Sequence, residues 1–137
     1  MNAERRFCPD ALTEQVIGAI LEVSNVLGAG FLEKVYERAL LQELRLRGIR
    51  ATAQASCPVS YKGHLIGEYV ADLLVEDVLV LELKCVERFT NEHMAQCLNF
   101  LRASKRSVCL LVNFQKPRAD WRRIVDKWQP EPSEINL

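Results

Sequence analysis

Nowhere does this chain of 137 residues carry an apolar run approaching the roughly 18 consecutive residues that a membrane-spanning helix needs. Its opening stretch, MNAERRFCPDALTEQ, lacks the apolar core of about 7–15 residues that marks a secretory signal. The expectation is a cytoplasmic protein with no membrane partner. Charge of one sign is missing too: 18 Lys and Arg stand against 18 Asp and Glu, and the formal net charge of zero gives no global pull toward nucleic acid or anionic lipid. Five cysteines, Cys8, Cys57, Cys85, Cys97 and Cys109, form an odd set without a CxxC pair. That excludes a disulfide framework and a zinc site, and leaves them as small buried hydrophobes. There is no GxxxxGK loop, no GxSxG elbow and no paired-His spacing, so nucleotide hydrolases, serine hydrolases and zincins have no support. Repeats and low-complexity tracts are also absent. What is present, 49% apolar and 26% charged residues, suits one packed domain spanning 1–137 with its core at about 11–125.

Between Ala11 and Leu27 the apolar residues Leu12, Val16, Ile20 and Val23 recur at three- and four-residue steps, and Asp10 is placed to cap the start of a first helix. Gly28-Ala29-Gly30 breaks it; because this glycine pair joins helix to helix, it is not read as a phosphate loop. Leu32, Val35, Tyr36, Ala39 and Leu40 then carry a second helix toward Arg47, with Gly48 as its stop. Three extended runs follow, Ala53 to Tyr61, Leu65 to Val75 and Val78 to Val86, joined by turns at Lys62-Gly63 and Glu76-Asp77. Asn91 to Ala103 returns to helical spacing, and Ser107 to Phe114 suits a buried strand. The order α-α-β-β-β-α-β predicts an α/β (α+β) domain with a mixed sheet of about four strands flanked by helices. Beyond Pro117, Trp121, Ile124, Val125 and Trp128 fit either a helix or a last edge strand, and 129–137, with two prolines, reads as a frayed end.

The segment Val78-Leu79-Val80-Leu81-Glu82-Leu83-Lys84 is the most informative, because two opposite charges interrupt a hydrophobic strand. Side chains alternate along a strand, so Glu82 and Lys84 share one face while Leu81 and Leu83 share the other. Ionised groups on a buried strand are costly without partners, so the pair is either a compensated ion pair or a site. Asp72, ten residues earlier, matters only if the hairpin register cooperates. A two-residue turn at Glu76-Asp77 sets Asp72 opposite Leu81; a three-residue loop or a bulge sets it opposite Glu82, with Cβ atoms about 4.5–5.5 Å apart. The latter is predicted, since a divalent cation would relieve the like-charge repulsion. Glu33 and Tyr36 lie three apart on one helical face, so Glu33 either turns inward with Tyr36 or stays exposed in the first turn, favoured by the helix dipole. Gln96, four residues before Phe100, signifies little alone.

Taken in order, these residues resemble a known family. Gly30-x-x-Glu33-x-x-Tyr36 is similar to the signature that names the GxxExxY proteins, a group placed in the PD-(D/E)XK nuclease superfamily. Asp72 followed by Glu82-Leu83-Lys84 resembles the D…ExK motif of that superfamily. Gln96 to Phe100 resembles the QxxxY element of RecB-like nuclease domains, and Leu110 to Phe114 the strand that follows. Two positions depart from the pattern: Phe100 lacks the hydroxyl of the usual Tyr, and Ala71 replaces the proline before Asp72, at no cost in ligands. The resemblance spans residues 12 to 125 and implies a restriction-endonuclease-like core.

It also implies roles. Asp72 and Glu82 would bind the metal with the backbone carbonyl of Leu83, Glu33 would reach it directly or through water, Lys84 would orient or help deprotonate the attacking water, and Gln96 would position Lys84 or the phosphate. Oxygen ligands without a neighbouring His or Cys favour Mg²⁺ or Mn²⁺ over zinc; His93, one turn from Gln96, is read as a capping or surface residue before a ligand. The expected function is metal-dependent hydrolysis of phosphodiester bonds, in DNA in preference to RNA, with a homodimer as an option that two-strand cleavage would favour. Its alternatives are a nucleic-acid-binding or partner-binding module that keeps the fold without catalysis, and a structural protein with a buried Glu-Lys pair. Charge is segregated accordingly: from Glu68 to Glu92 seven acids face two bases, a balance of −5, while from Arg102 to Lys127 eight bases face two acids, a balance of +6. Tyr36, Arg122 and Arg123 complete the expected set as substrate contacts.

Overall fold

A computed structural model of the chain describes residues 7–126. The expectations for Trp128, for Lys127 and for a frayed 129–137 lie outside the described residues. Helices α1 (Asp10–Leu27) and α2 (Glu33–Leu46) precede strands β1 (Ala51–Tyr61), β2 (His64–Val75) and β3 (Leu79–Lys84); α3 (Asn91–Ser104), β4 (Val108–Asn113) and β5 (Asp120–Val125) follow. Each expected element is found within a few residues of its bounds.

One sheet carries all five strands in the order β1-β2-β3-β4-β5, so the expected count of about four is corrected to five. β3 and β4 are parallel and the other pairs antiparallel. A parallel neighbour requires a crossover, and α3 supplies it. The tail resolves as the edge strand β5 because β4, buried along its whole length, would otherwise leave an unpaired edge in the core. Alternation then sorts the side chains. Leu79, Leu81, Leu83, Leu110 and Val112 pack with Val16, Ile20 and Val23 of α1 and Tyr36, Leu40 and Leu44 of α2. Val80, Cys109 and Leu111 pack with Cys97, Phe100 and Leu101 of α3. Cys8, Cys97 and Cys109 are buried and free, as small hydrophobes are, while the free Cys57 and Cys85 are half-buried. No helix among the described residues is long and apolar enough to cross a membrane.

The helix ends follow from local chemistry, with one correction. Asp10 does not cap α1: Pro9 takes the N-cap, its carbonyl accepting from Leu12 N at 3.1 Å and Thr13 N at 3.3 Å. Asp10 falls inside the first turn, and its carboxylate meets Arg123 at 3.4 Å instead of its own backbone. α2 closes in a Schellman turn, with Gly48 at φ 73°, Ile49 N bonded to Leu44 O and Gly48 N to Arg45 O, and Ile49 buried against Leu44.

The turn between β2 and β3 sets the register on which the site depends. Glu76 and Asp77 both adopt positive φ, 49° and 62°, with Val78 N donating to Val75 O at 3.0 Å. The ladder resumes at Val75↔Leu79, so Val78 is an extra residue and the connection has the three-residue count. Neither position has a glycine, and side chains supply what glycine would have given. Glu76 accepts from Arg50 N at 2.7 Å and from its guanidinium at 3.1 Å, and Arg106 donates to the Asp77 carbonyl at 2.9 Å.

Candidate active site

The β2–β3 ladder runs from Val75↔Leu79 to Leu73↔Leu81 and is then continued by side chains. Asp72 N donates to Glu82 Oε1 at 3.0 Å, and Leu83 N donates to Asp72 Oδ2 at 2.7 Å. Each carboxylate thus takes the backbone N–H of the other's strand, which fixes both side chains and leaves Glu82 Oε2 without a protein donor among the described residues. This is the register in which Asp72 stands opposite Glu82.

Burial makes the pair uncomfortable. It is the largest cause raising the Glu82 carboxyl to about 7, assisted by the like charges of Asp72 and Glu33 and opposed by the Asp72 amide and by Lys84. The Asp72 carboxyl is raised as well, first by burial and then by Glu37, against the lowering effects of the Leu83 amide, Lys84 and Gln54. Lys84 follows Glu82 on the same face, half-buried, and makes no direct ion pair among the described residues. Beyond it the chain is clamped. Phe114 N donates to Lys84 O at 2.9 Å. The amide of Asn113, 1% exposed, donates to Val86 O at 2.7 Å and accepts from Val86 N at 3.1 Å. Asn113 and Lys84 are paired in the parallel register, so β4 sets where the lysine leaves β3.

Glu33 is exposed at the first residue of α2, near enough for its charge to be felt at Glu82. The deeper carboxylate on that helix is Glu37, 7% exposed, which sequence reasoning did not single out. It accepts from Gln54 Nε2 at 2.8 Å and pairs with Lys34 at 3.1 Å. Its signal was its place: next to Tyr36 and three residues before Leu40, at the edge of the buried stripe. Tyr36 has no surface to offer a substrate. It is fully buried, stacks on Phe114 with ring centroids 4.5 Å apart, donates to Gly28 O at 2.5 Å and accepts from Phe31 N at 3.2 Å. It therefore pins the loop in which Gly30, at φ 109°, makes a bend that a side chain would strain, and with it the start of α2.

Gln96 is exposed on α3 and is not drawn to Lys84 by any hydrogen bond among the described residues. Phe100, four residues on, is buried. His93 serves as a cap, with Thr90 N donating to its Nδ1 at 3.1 Å and its own N donating to Thr90 Oγ1 at 3.3 Å. Arg122 and Arg123 face opposite sides of β5: Arg122 lies 5.9 Å over the Phe89 ring, and Arg123 is held by Asp10 on the α1 side. The two do not form one basic patch.

Among the described residues no three His, Cys, Asp or Glu side chains gather tightly enough to hold a metal by themselves. The donor set that does converge, two hard carboxylates crowded by burial, fits a hard divalent cation; Mg²⁺ characteristically takes one or two carboxylates and keeps several waters.

Comparison with known proteins agrees with this geometry. Among solved structures, the chain is similar to SSO0001, with a TM-score of 0.55 and 16% identity over 70% of this chain and 50% of that one, which shows a shared fold. The chain thus spans half the length of that protein. It also matches an alkaline exonuclease from Laribacter hongkongensis, with a TM-score of 0.47 and 17% identity over 83% of this chain and 82% of that one. No curated protein matches. A family model described as the PD-(D/E)XK nuclease superfamily matches residues 10–124, and the chain belongs to that superfamily.

Proposed function

We propose that this chain is a metal-dependent nuclease that hydrolyses phosphodiester bonds of nucleic acid, DNA in preference to RNA. The observation that carries the reading is the reciprocal lock of Asp72 and Glu82 beside an ammonium that, among the described residues, no carboxylate neutralises directly. Structural ion pairs are closed; a carboxylate pair whose burial holds both groups above their ordinary range is a site waiting for positive charge. Asp72 and Glu82 would hold Mg²⁺ or Mn²⁺, with the Leu83 carbonyl as a further oxygen donor and Glu33 acting from the rim through water. When bound, such an ion acidifies the attacking water and offsets charge developing on the phosphate.

The chain's own residues do the rest. Lys84 orients the water and assists its deprotonation, and its ammonium is available to the reacting phosphate. Asn113 keeps the exit of β3 fixed, so that the ammonium is presented at one place. Gln96 and Arg122, both on α3's side of the sheet, are available to phosphate oxygens; Arg123, already held by Asp10, contributes less. A homodimer would supply the second site that cleavage of both strands needs.

The test is direct. Purified protein with Mg²⁺ or Mn²⁺ is incubated with supercoiled plasmid, linear duplex, single-stranded DNA and RNA. Nicking that requires the metal and disappears in Glu82→Ala and Lys84→Ala supports the reading. Tight binding without cleavage by the wild type would instead select the non-catalytic binding module.

A further inference from the structure

Gln54 breaks the local rules of β1. It adopts φ 54°, a left-handed conformation that glutamine rarely takes, in the middle of a strand. The ladder pairs Ala53 with Leu73 and Ala55 with Ala71 but omits Gln54 opposite Asp72. Strain of this kind persists where the surroundings over-determine it, and here they are specific. The Gln54 side-chain nitrogen donates to Glu37 Oε1 at 2.8 Å, and the Gln54 amide, opposite Asp72 in the ladder, lies near enough to favour the charged form of its carboxylate. A primary amide nitrogen has two hydrogens and no charge, so it can join two carboxylates that would otherwise repel. Glu37 in turn is held by Lys34.

The relay therefore runs from Lys34 on the surface through Glu37 and Gln54 to Asp72. We propose that Gln54 is a positioning residue for the carboxylate pair: its left-handed backbone and the buried Glu37 aim its amide at Asp72, and this holds Asp72 in the orientation that binds the cation. Resting on the nuclease reading for the cation itself, the inference adds what keeps one ligand in place. Groups that orient a metal ligand typically change affinity by about 10–100-fold when removed.

Backbone and side chain can be separated, because glycine accepts the left-handed conformation without strain while deleting the amide. The full chain is titrated with Mn²⁺, without nucleic acid, and free Mn²⁺ is followed by electron paramagnetic resonance. Gln54→Gly is expected to fold with an unchanged or higher Tm and to bind Mn²⁺ about 10–100-fold more weakly. Gln54→Leu should lose the same affinity with a lower Tm. In Glu37→Leu, which removes the acceptor that aims the amide, a further Gln54→Gly change should cost little more. Gln54→Gly protein that binds Mn²⁺ as the wild type does would overturn the positioning role and leave the nuclease reading standing. Wild-type protein that binds no Mn²⁺ would overturn both.

Discussion

Glu82→Gln and Lys84→Met are each expected to lower the rate of phosphodiester cleavage by about 10²- to 10³-fold, the range found when one preorganised charged or hydrogen-bonding group is removed from a transition state. Both replacements are nearly isosteric, so shape survives and charge does not. Lys84 makes no direct ion pair among the described residues, but its charge favours the ionised forms of Asp72 and Glu82, so its loss should destabilise the protein modestly and mainly at pH values at which those carboxyls are ionised. Its effect should fall on kcat and leave KM for the nucleic acid nearly unchanged, because a group that acts on the attacking water contributes in the transition state only. Glu82→Gln keeps an oxygen that can accept from Asp72 N. Its defect should therefore come from weaker metal binding, visible as a higher metal requirement. The double variant should be little worse than the poorer single one, since the two act on one event. Steady-state cleavage of a fluorescent oligonucleotide across a metal series separates these outcomes.

Stability of the metal-free protein should fall as pH rises through the range in which Glu82 ionises. An acid whose folded pKa lies above its unfolded value binds its proton more tightly in the folded state. Its contribution is fully present below the unfolded value of 4.5 and is lost as pH passes the folded value of about 7. That difference corresponds to about 3 kcal/mol at most. Asp72, raised in the same direction, adds to it. Urea midpoints measured at pH 5 and pH 8 without metal should therefore decrease. Glu82→Gln, which cannot ionise, should flatten the decrease and stand above the wild type at pH 8. Mg²⁺ should oppose the trend, because it needs the deprotonated carboxylates: at a concentration 100 times its Kd, it stabilises by about 2.7 kcal/mol. Equal pH slopes in wild type and Glu82→Gln would show that this carboxyl is not the buried group the geometry describes.

The parts of the site that could be read from the sequence are those governed by short-range periodicity. Alternation places Glu82 and Lys84 together against Leu81 and Leu83 whatever the tertiary context, and the stripe through Tyr36 and Leu40 buries one face of α2. The pairing of Asp72 with Glu82 was harder. It depends on a turn whose positive-φ residues are Glu76 and Asp77, and what holds that turn is Arg50 and Arg106, the latter 29 residues from Asp77 in sequence. Gln54 and Glu37 were invisible for a related reason: no propensity places a glutamine at positive φ inside a strand, and its partners come from α2 and β2. Gln96 shows the converse case. Four residues along a helix rotate about 40° beyond a full turn. That is enough to bury Phe100 under the sheet and leave Gln96 at the rim. Arg122 and Arg123, adjacent in sequence, read as one basic patch until β5 proves to be a strand, which sends them to opposite faces.

The central claim is that Asp72 and Glu82 share one cation. A crystal soaked in Mn²⁺ and measured at the manganese absorption edge tests it without a substrate. The account predicts a single anomalous peak within coordinating distance of both carboxylates in the wild type, and its loss in Asp72→Asn. Density with no peak at this pair, or with manganese bound elsewhere and both carboxylates still locked to each other's backbone, would contradict it.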